Sequence, residues 1–463
     1  MEGKLQKREA KSLEAINGKT ERNSERSIDS AIHPTSGKRQ PVNDTMQLME
    51  QLVERQNLLE AYNRVIGNKG TCGVDGVKIE DFRNYLQENW RRIRQELVDG
   101  VYQPQPVRRV EIPKPNGGRR ELGIPTLIDR LIQQALNQIL TPIFEPSFSR
   151  YSYGFRPGRN AQQAVEQARE YIREGRRWVV DMDLEKFFDK VNHDILMERI
   201  RKKIKDPRVL NLIRRYLKAG IMENGVVTTN EEGTPQGGPL SPLLSNIMLT
   251  DLDNELEKRG HAYCRYADDS NIYVKSEAAG KRVLESMTRF LETKLKLKVN
   301  KEKSAVGRPW QRKFLGYSFT SQKQTRIRVH EESVEKLRSK IKGLCRTGRG
   351  WNTAEFIKKK LNPVIRGWIN YFGKAETPTF AKNLDAWIRR RVRVMIWRQW
   401  GKCKSKFRKL KQLGVKEEQA FMMAYSSKGP WRMSGFKTLA EALPWNYFEE
   451  LGLISMFKKL QSC

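Results

Sequence analysis

No run of about 18 apolar residues occurs anywhere in the sequence, which excludes a membrane-spanning helix. Cysteine is sparse and unpaired: Cys72, Cys264, Cys345, Cys403 and Cys463 are scattered, odd in number and form no CxxC motif. That pattern builds neither a zinc site nor a disulfide framework, so reduced thiols in an intracellular protein are expected. The N-terminus lacks the apolar core of a secretory signal, and its glutamates are unlike an organellar transit peptide, so a cytoplasmic location is expected. Acidic residues are outnumbered, with 54 Asp and Glu against 88 Lys and Arg, a net charge of +34. Solubility alone requires far less, so a polyanionic partner is the leading inference, ahead of a merely solvated basic surface or an anionic membrane.

What is present divides along the chain. At 463 residues the sequence exceeds one ordinary domain. The first 45 residues are mostly polar and charged, with hardly an aromatic, and read as a flexible basic arm. A helical pattern starts near Met46 and runs to about residue 105, broken by the glycine-bearing loop NKGTCGVDG (Asn68 to Gly76). Between Val107 and Pro125, alternation around the turn PNGG (Pro115 to Gly118) predicts a β-hairpin with basic residues on both arms. A helix follows over Leu127 to Leu140. WVVDMD (Trp178 to Asp183) reads as a buried strand, and YCRYADDSNIYV (Tyr263 to Val274) as two strands around an acidic turn. Beyond about residue 330 the pattern is helical and rich in Trp, Arg and Lys.

The acids on these strands suggest a chemistry. Nucleotide polymerisation uses two divalent ions about 3.5–4 Å apart, and hard Mg²⁺ takes oxygen ligands, so carboxylates must crowd together against their mutual repulsion. Asp181 and Asp183, two apart, share one face of a strand, with Val180 and Met182 on the other. Asp268 and Asp269 sit at the tip of an apolar, aromatic hairpin. Adjacent acids in a turn are ordinarily turn formers. Their conjunction with a strand acid is what points to a metal site.

These residues and their order resemble the reverse transcriptases encoded by bacterial group II introns. The segments that carry the resemblance are NKGTCGVDG, RRVEIPKPNGGRRELGIPTLIDRLIQQAL, YGFRPGRNAQQA, DLEKFFD, GTPQGGPLSPLLSNIML, YADD, LKVNKEKS and KFLGYSF, and it extends over residues 46 to 463. It implies an α+β, right-hand polymerase fold: fingers and palm with an antiparallel palm sheet over residues 46–325, a helical thumb and maturase domain over 326–414, and a helical nucleic-acid-binding segment over 415–463. It also implies that Asp183, Asp268 and Asp269 bind two Mg²⁺ ions, with Mn²⁺ as a substitute. Asp181 is not carried over, and reads as a strand-end acid or a support for the ligands.

The same resemblance implies that Phe188 packs beneath the incoming sugar and leaves no room for a 2′-hydroxyl, while its neighbour Phe187 reads as core. Lys114 and Arg120 lie across the fingers hairpin, where pairing would bring both charges to one triphosphate, although solvated hairpin charges have the same spacing. Gln236, in the loop GTPQGGPLSP (Gly233 to Pro242), is placed to touch the nucleotide or the templating pair. Phe314, Leu315, Gly316 and Tyr317 resemble the primer grip, or else form a plain β-turn.

From Asp385 to Gly414 there are eleven Lys or Arg and one acid. Ile388, Val392, Met395 and Ile396 form an apolar stripe, opposite a basic face of Arg389, Arg390, Arg391 and Arg393, with Lys402 and Lys404 beyond. Such a helix docks by one face and grips phosphates with the other. With RGWINYF (Arg366 to Phe372) it resembles the thumb and maturase region. After residue 414 there is neither a CxxC pair nor a histidine, as in members of the family without an endonuclease. The implied partners are group II intron RNA, an RNA template with its DNA primer, target DNA and dNTPs, in a nucleoid-associated bacterial protein. A free-standing polymerase of the same fold and a splicing-only RNA-binding protein are the rival readings; intact aspartates, Phe188 and Gln236 oppose the latter.

Overall fold

The helical pattern beginning near Met46 forms α1 (Leu48–Leu52), α2 (Arg55–Gly67) and α3 (Phe82–Val98), with the glycine-bearing loop between the last two. The computed structural model describes residues 45–113, 119–223, 226–228, 233 and 237–461. It divides into two units, the first ending at Arg308 and the second beginning at Pro309, ahead of the boundary expected near 325. Among the described residues no helix is long and apolar enough to cross a membrane.

In the first unit the expected hairpin is present: β1 (Val107–Pro113) pairs antiparallel with β2 (Arg119–Ile124), in register from Arg108 opposite Ile124 to Pro113 opposite Arg119. Cross-strand ion pairs Arg109–Glu121 and Arg119–Glu111 reinforce it. The helix α4 (Leu127–Phe144) follows, capped by the Thr126 hydroxyl, which accepts from the Asp129 N–H. Then comes α5 (Ala161–Arg173), opened by a reciprocal Asn160–Gln163 capping box.

The strand β3 (Trp178–Met182) is followed by α6 (Phe187–Lys190), α7 (His193–Lys203), α8 (Pro207–Lys218), β4 (Ile221–Glu223), β5 (Val226–Thr228), α9 (Ser241–Lys258), β6 (Ala262–Tyr266), β7 (Asp269–Val274), α10 (Glu277–Phe290) and β8 (Ala305–Gly307). One sheet runs β2-β1-β4-β5 and a second β6-β7-β3-β8, the latter wholly antiparallel. Val179, Val180 and Met182 bury β3 in its centre. On this sheet α10 approaches closely enough that a Cβ on Gly280 would stand 2.6 Å from a Val306 methyl.

One charge lies inside this core. Arg265, in the middle of β6, is 0% exposed and forks onto Asp253 of α9 at 2.8 and 2.5 Å, Asp253 being equally buried. Its remaining nitrogen donates to Asn246 Oδ1 at 3.0 Å and to the Ala267 carbonyl at 2.9 Å, so its hydrogen-bonding capacity is well used.

The second unit opens with β9 (Tyr317–Phe319) and β10 (Ile327–Val329), which pair antiparallel. Helices follow: α11 (Glu331–Thr347), α12 (Asn362–Phe372), α13 (Thr379–Gln399), α14 (Cys403–Gln412), α15 (Glu417–Ala424), and the short helices Pro430–Met433, Lys437–Ala442, Trp445–Glu450 and Met456–Gln461. The stripe Ile388, Val392, Met395 and Ile396 is buried, as its spacing predicts. A single apolar cluster crosses residue 414, joining these side chains to Leu439, Phe448 and Met456. Asp385, itself buried, ties in the last helix by accepting from Ser455 Oγ at 2.8 Å and from the N–H groups of Met456 and Phe457.

Breaking the buried ion pair in the first unit has a calculable cost. Arg265→Met leaves Asp253 buried without its counter-charge and is expected to destabilise by about 3–5 kcal/mol in urea unfolding. The double variant Arg265→Met/Asp253→Leu removes both charges and is expected to recover part of that loss. A double variant as unstable as the single one would show that packing, and not uncompensated charge, sets the cost.

Candidate active site

The acidic centre follows from strand register. The strand β3 runs antiparallel to β7, with Met182, the residue before Asp183, opposite Ser270, the residue after Asp269. At the other side, β6 and β7 are joined by a two-residue connection, Ala267 and Asp268, with Tyr266 opposite Asp269. Ala267 has φ 57°, the left-handed conformation such a tight hairpin demands. The backbone therefore gathers the three aspartates at adjoining strand ends. Asp181, by contrast, lies opposite Asn271, whose amide nitrogen, correctly oriented, reaches its carboxylate at 3.2 Å.

Asp183 is held from behind by the segment Asn300–Ser304. Its N–H donates to Ser304 Oγ at 3.0 Å and its carbonyl accepts from the Asn300 N–H at 2.9 Å. The Asn300 side chain in turn receives the N–H groups of Glu302 and Lys303. This turn delivers the Lys303 ammonium to 3.5 Å from Asp183 Oδ1. Among the described residues, no three His, Cys, Asp or Glu side chains converge closely enough to hold an ion. Lys303 sets a positive charge beside the Asp183 carboxylate. An all-oxygen donor set that already attracts a cation suits a hard divalent ion.

Sequence reasoning passed over Lys303, Ser304 and Arg265. For Arg265 a signal exists, since an arginine in the middle of the otherwise apolar strand AYCRY has to find a buried partner. Burial also pushes the thiol of neighbouring Cys264 well above its ordinary range, so it stays protonated and unreactive.

Phe187 and Phe188 divide as expected. Phe187 is 2% exposed in the core, while Phe188 is half-buried, with its ring 5.2 Å from that of Phe187. Gly233, at φ +93°, lies against the Phe188 and Asp189 backbone, where a Cβ would stand 2.8 Å from the Phe188 carbonyl. Lys114 and Gln236 lie outside the described residues. Arg120 is described in its backbone alone, opposite Ile112 in the hairpin.

In the second unit, Phe314 and Tyr317 exchange backbone hydrogen bonds of 3.0 and 2.9 Å around Leu315 and Gly316, at φ 51° and 82°. Tyr317 is fully buried against Tyr371 and Phe372, and the Tyr371 hydroxyl donates to the Leu315 carbonyl at 3.0 Å. The four residues thus form a rigid turn clamped by α12.

The expected open basic face on α13 takes another form. Arg389, Arg390, Arg391 and Arg393 are all half-buried, and burial lowers the pKa of Arg389, Arg391 and Arg393. Arg393 donates to the Leu443 carbonyl at 3.1 and 2.9 Å, and Arg390 to that of Trp431 at 3.1 Å, capping the ends of two short helices. Arg389 lies over Trp445, and Arg390 and Arg391 over Trp431. They are intrachain fasteners: the short C-terminal helices cover the face that helical spacing leaves open. Lys402 and Lys404 are exposed, as are Lys358, Lys359 and Lys360, which sequence reasoning did not single out.

Comparison with known proteins bears on both units. A family model for reverse transcriptase (RNA-dependent DNA polymerase) matches residues 112–319, and one for the group II intron maturase-specific domain matches residues 334–414. Protein YkfC of Escherichia coli (strain K12) is 36% identical over 299 residues, covering 56% of this chain and 78% of that one. The group II intron-encoded protein LtrA of Lactococcus lactis subsp. cremoris is 31% identical over 348 residues, 61% of this chain but only 56% of LtrA. A putative COX1/OXI3 intron 1 protein of Saccharomyces cerevisiae is 32% identical over 201 residues, 24% of its length. With the acidic strand ends inside the first matched region and α13 inside the second, this chain belongs to the group II intron-type reverse transcriptases, RNA-directed DNA polymerases that carry a maturase-specific domain.

Proposed function

We propose that the protein copies RNA into DNA at Asp183, Asp268 and Asp269, and that it binds its parent group II intron RNA to assist splicing and retrohoming into target DNA. The observation that carries this reading is the β3–β7 register, which ends with Met182 opposite Ser270 and so brings Asp183 to the sheet end that bears the Asp268–Asp269 turn. The family generally uses divalent metal ions; these three carboxylates would hold two Mg²⁺, or Mn²⁺, which supply charge neutralisation at the primer hydroxyl and the departing pyrophosphate. The residues around them do the rest. Phe188, backed by core Phe187, rejects the ribose 2′-hydroxyl by occupying its space, a steric test that a hydrogen-bonding pocket would fail. Lys114, Arg120 and Gln236 bind the dNTP by their place in the family pattern, and the turn Phe314 to Tyr317 steadies the primer end.

Exposed Lys402 and Lys404, with Lys358, Lys359 and Lys360, supply the phosphate contacts in the second unit. The half-buried arginines of α13 shape that surface from within.

Three measurements test this reading. Asp183→Ala or Asp268→Ala is expected to abolish primer extension while binding of structured RNA stays near that of the parent; extension by either variant removes the assignment. Phe188→Ala is expected to admit ribonucleotides, and a dNTP-to-rNTP preference equal to the parent's in single-nucleotide incorporation would place the gate elsewhere. Neutralising Lys402 and Lys404 together should reduce the slope of log affinity against log salt by about 0.7–0.9 for each phosphate that is no longer neutralised, with unchanged thermal stability. Arg390→Ala and Arg393→Ala should instead lower the melting temperature.

A further inference from the structure

The loop before α5 carries a side chain that packing within the chain does not explain. Phe155 is 50% exposed, and it holds φ 58°, a conformation that is an outlier for a bulky residue. Glycine adopts that conformation without cost, and the same loop has glycine on either side at positions 154 and 158. A phenylalanine kept there at the expense of backbone strain is present for its ring.

The strain is enforced from both sides. Gly154 lies flat against the catalytic turn, where a Cβ would overlap the Ala267 backbone nitrogen, and its carbonyl accepts from Asn246 Nδ2 at 2.8 Å. Arg156 is 8% exposed, donates to the Ser149 and Ser152 carbonyls and pairs with Glu145 at 2.8 Å. Between these anchors the Phe155 ring has little freedom of position. Its centroid lies 6.2 Å from that of Tyr266, tilted by 45°. Tyr266 is the residue opposite Asp269. Strained conformations fixed by their surroundings are concentrated where a ligand is received.

We propose that Phe155, together with Tyr266, forms an apolar shelf against which the newest base pairs of the RNA template–DNA primer duplex rest. The inference stands on the reading of the turn 267–269 as catalytic, since that reading brings the duplex end to this place. Sugar rings and base edges present an apolar, sequence-independent surface to an aromatic side chain, so the contact serves every template alike. It adds no charge, and therefore acts on affinity without changing counterion release.

The test uses the full chain, with Kd for an RNA–DNA duplex measured at several salt concentrations, single-cycle extension in the presence of a trap, and thermal melting. Phe155→Gly relieves the backbone strain while removing the ring. It is expected to melt at or above the parent temperature, to raise Kd about five-fold or more with an unchanged salt slope, and to give shorter single-cycle products. Phe155→Tyr is expected to behave as the parent. A Kd for Phe155→Gly equal to the parent's overturns the proposal. If Phe155→Gly melts lower, Phe155→Leu decides: parent-like melting with weakened binding upholds the shelf, and joint loss of both, or parent-like binding, assigns the ring to packing. The underlying reading is judged separately, by whether the parent extends primers and Asp268→Ala does not.

Discussion

Crowding carboxylates at strand ends is electrostatically unfavourable, and the rest of the first unit can be understood as what holds the backbone in place despite it. The central element is the fully buried Arg265–Asp253 pair. Arg265 lies two residues before Ala267 and donates to its carbonyl, so one guanidinium links α9 to the turn that presents Asp268 and Asp269. A buried ion pair is weak evidence for net stability. Its geometric effect is plainer: a fork bound to a carboxylate on one helix leaves a hairpin tip with few alternative positions.

Asp183 is positioned by separate means. Hydrogen bonds from Asn300 and to Ser304 fix its backbone, and the same turn places Lys303 near its carboxylate. The acids are thus anchored at two places distant in sequence, the Asn246–Asp253 region of α9 and the 300–304 turn, while the β3–β7 register sets their spacing. Each anchor works through backbone groups.

Much of this was legible in the sequence. Buried β3, the acidic hairpin and the fingers hairpin each follow from periodicity of two and from turn residues, which depend on local physics. The split between core Phe187 and half-exposed Phe188 was also foreseen. Arg265 and the arginines of α13 were harder, because period alone tells which residues share a face and not what covers that face. The stripe on α13 is buried as its spacing predicts; the opposite face, expected to be open to phosphates, is covered from some 40–60 residues later, by short helices carrying Trp431, Trp445 and Phe448. Helices of four to six residues have too few turns to show amphipathic period.

That distinction alters how the net charge of +34 should be understood. A guanidinium that caps a carbonyl and lies over an indole is weakly hydrated and geometrically committed, which suits it to interior fastening. An ammonium on a flexible stem is strongly hydrated and remains outside. On α13, Arg389, Arg390, Arg391 and Arg393 follow the first pattern against the short helices, while the lysines at positions 358–360, 402 and 404 are exposed, as are Arg366, Arg398 and Arg408. Part of the positive charge is therefore committed to contacts within the chain, and the net charge overstates what the surface presents. Arg389, Arg390, Arg391 and Arg393 fasten the short C-terminal helices to α13, through the Trp431 and Leu443 carbonyls and the rings of Trp431, Trp445 and Phe448.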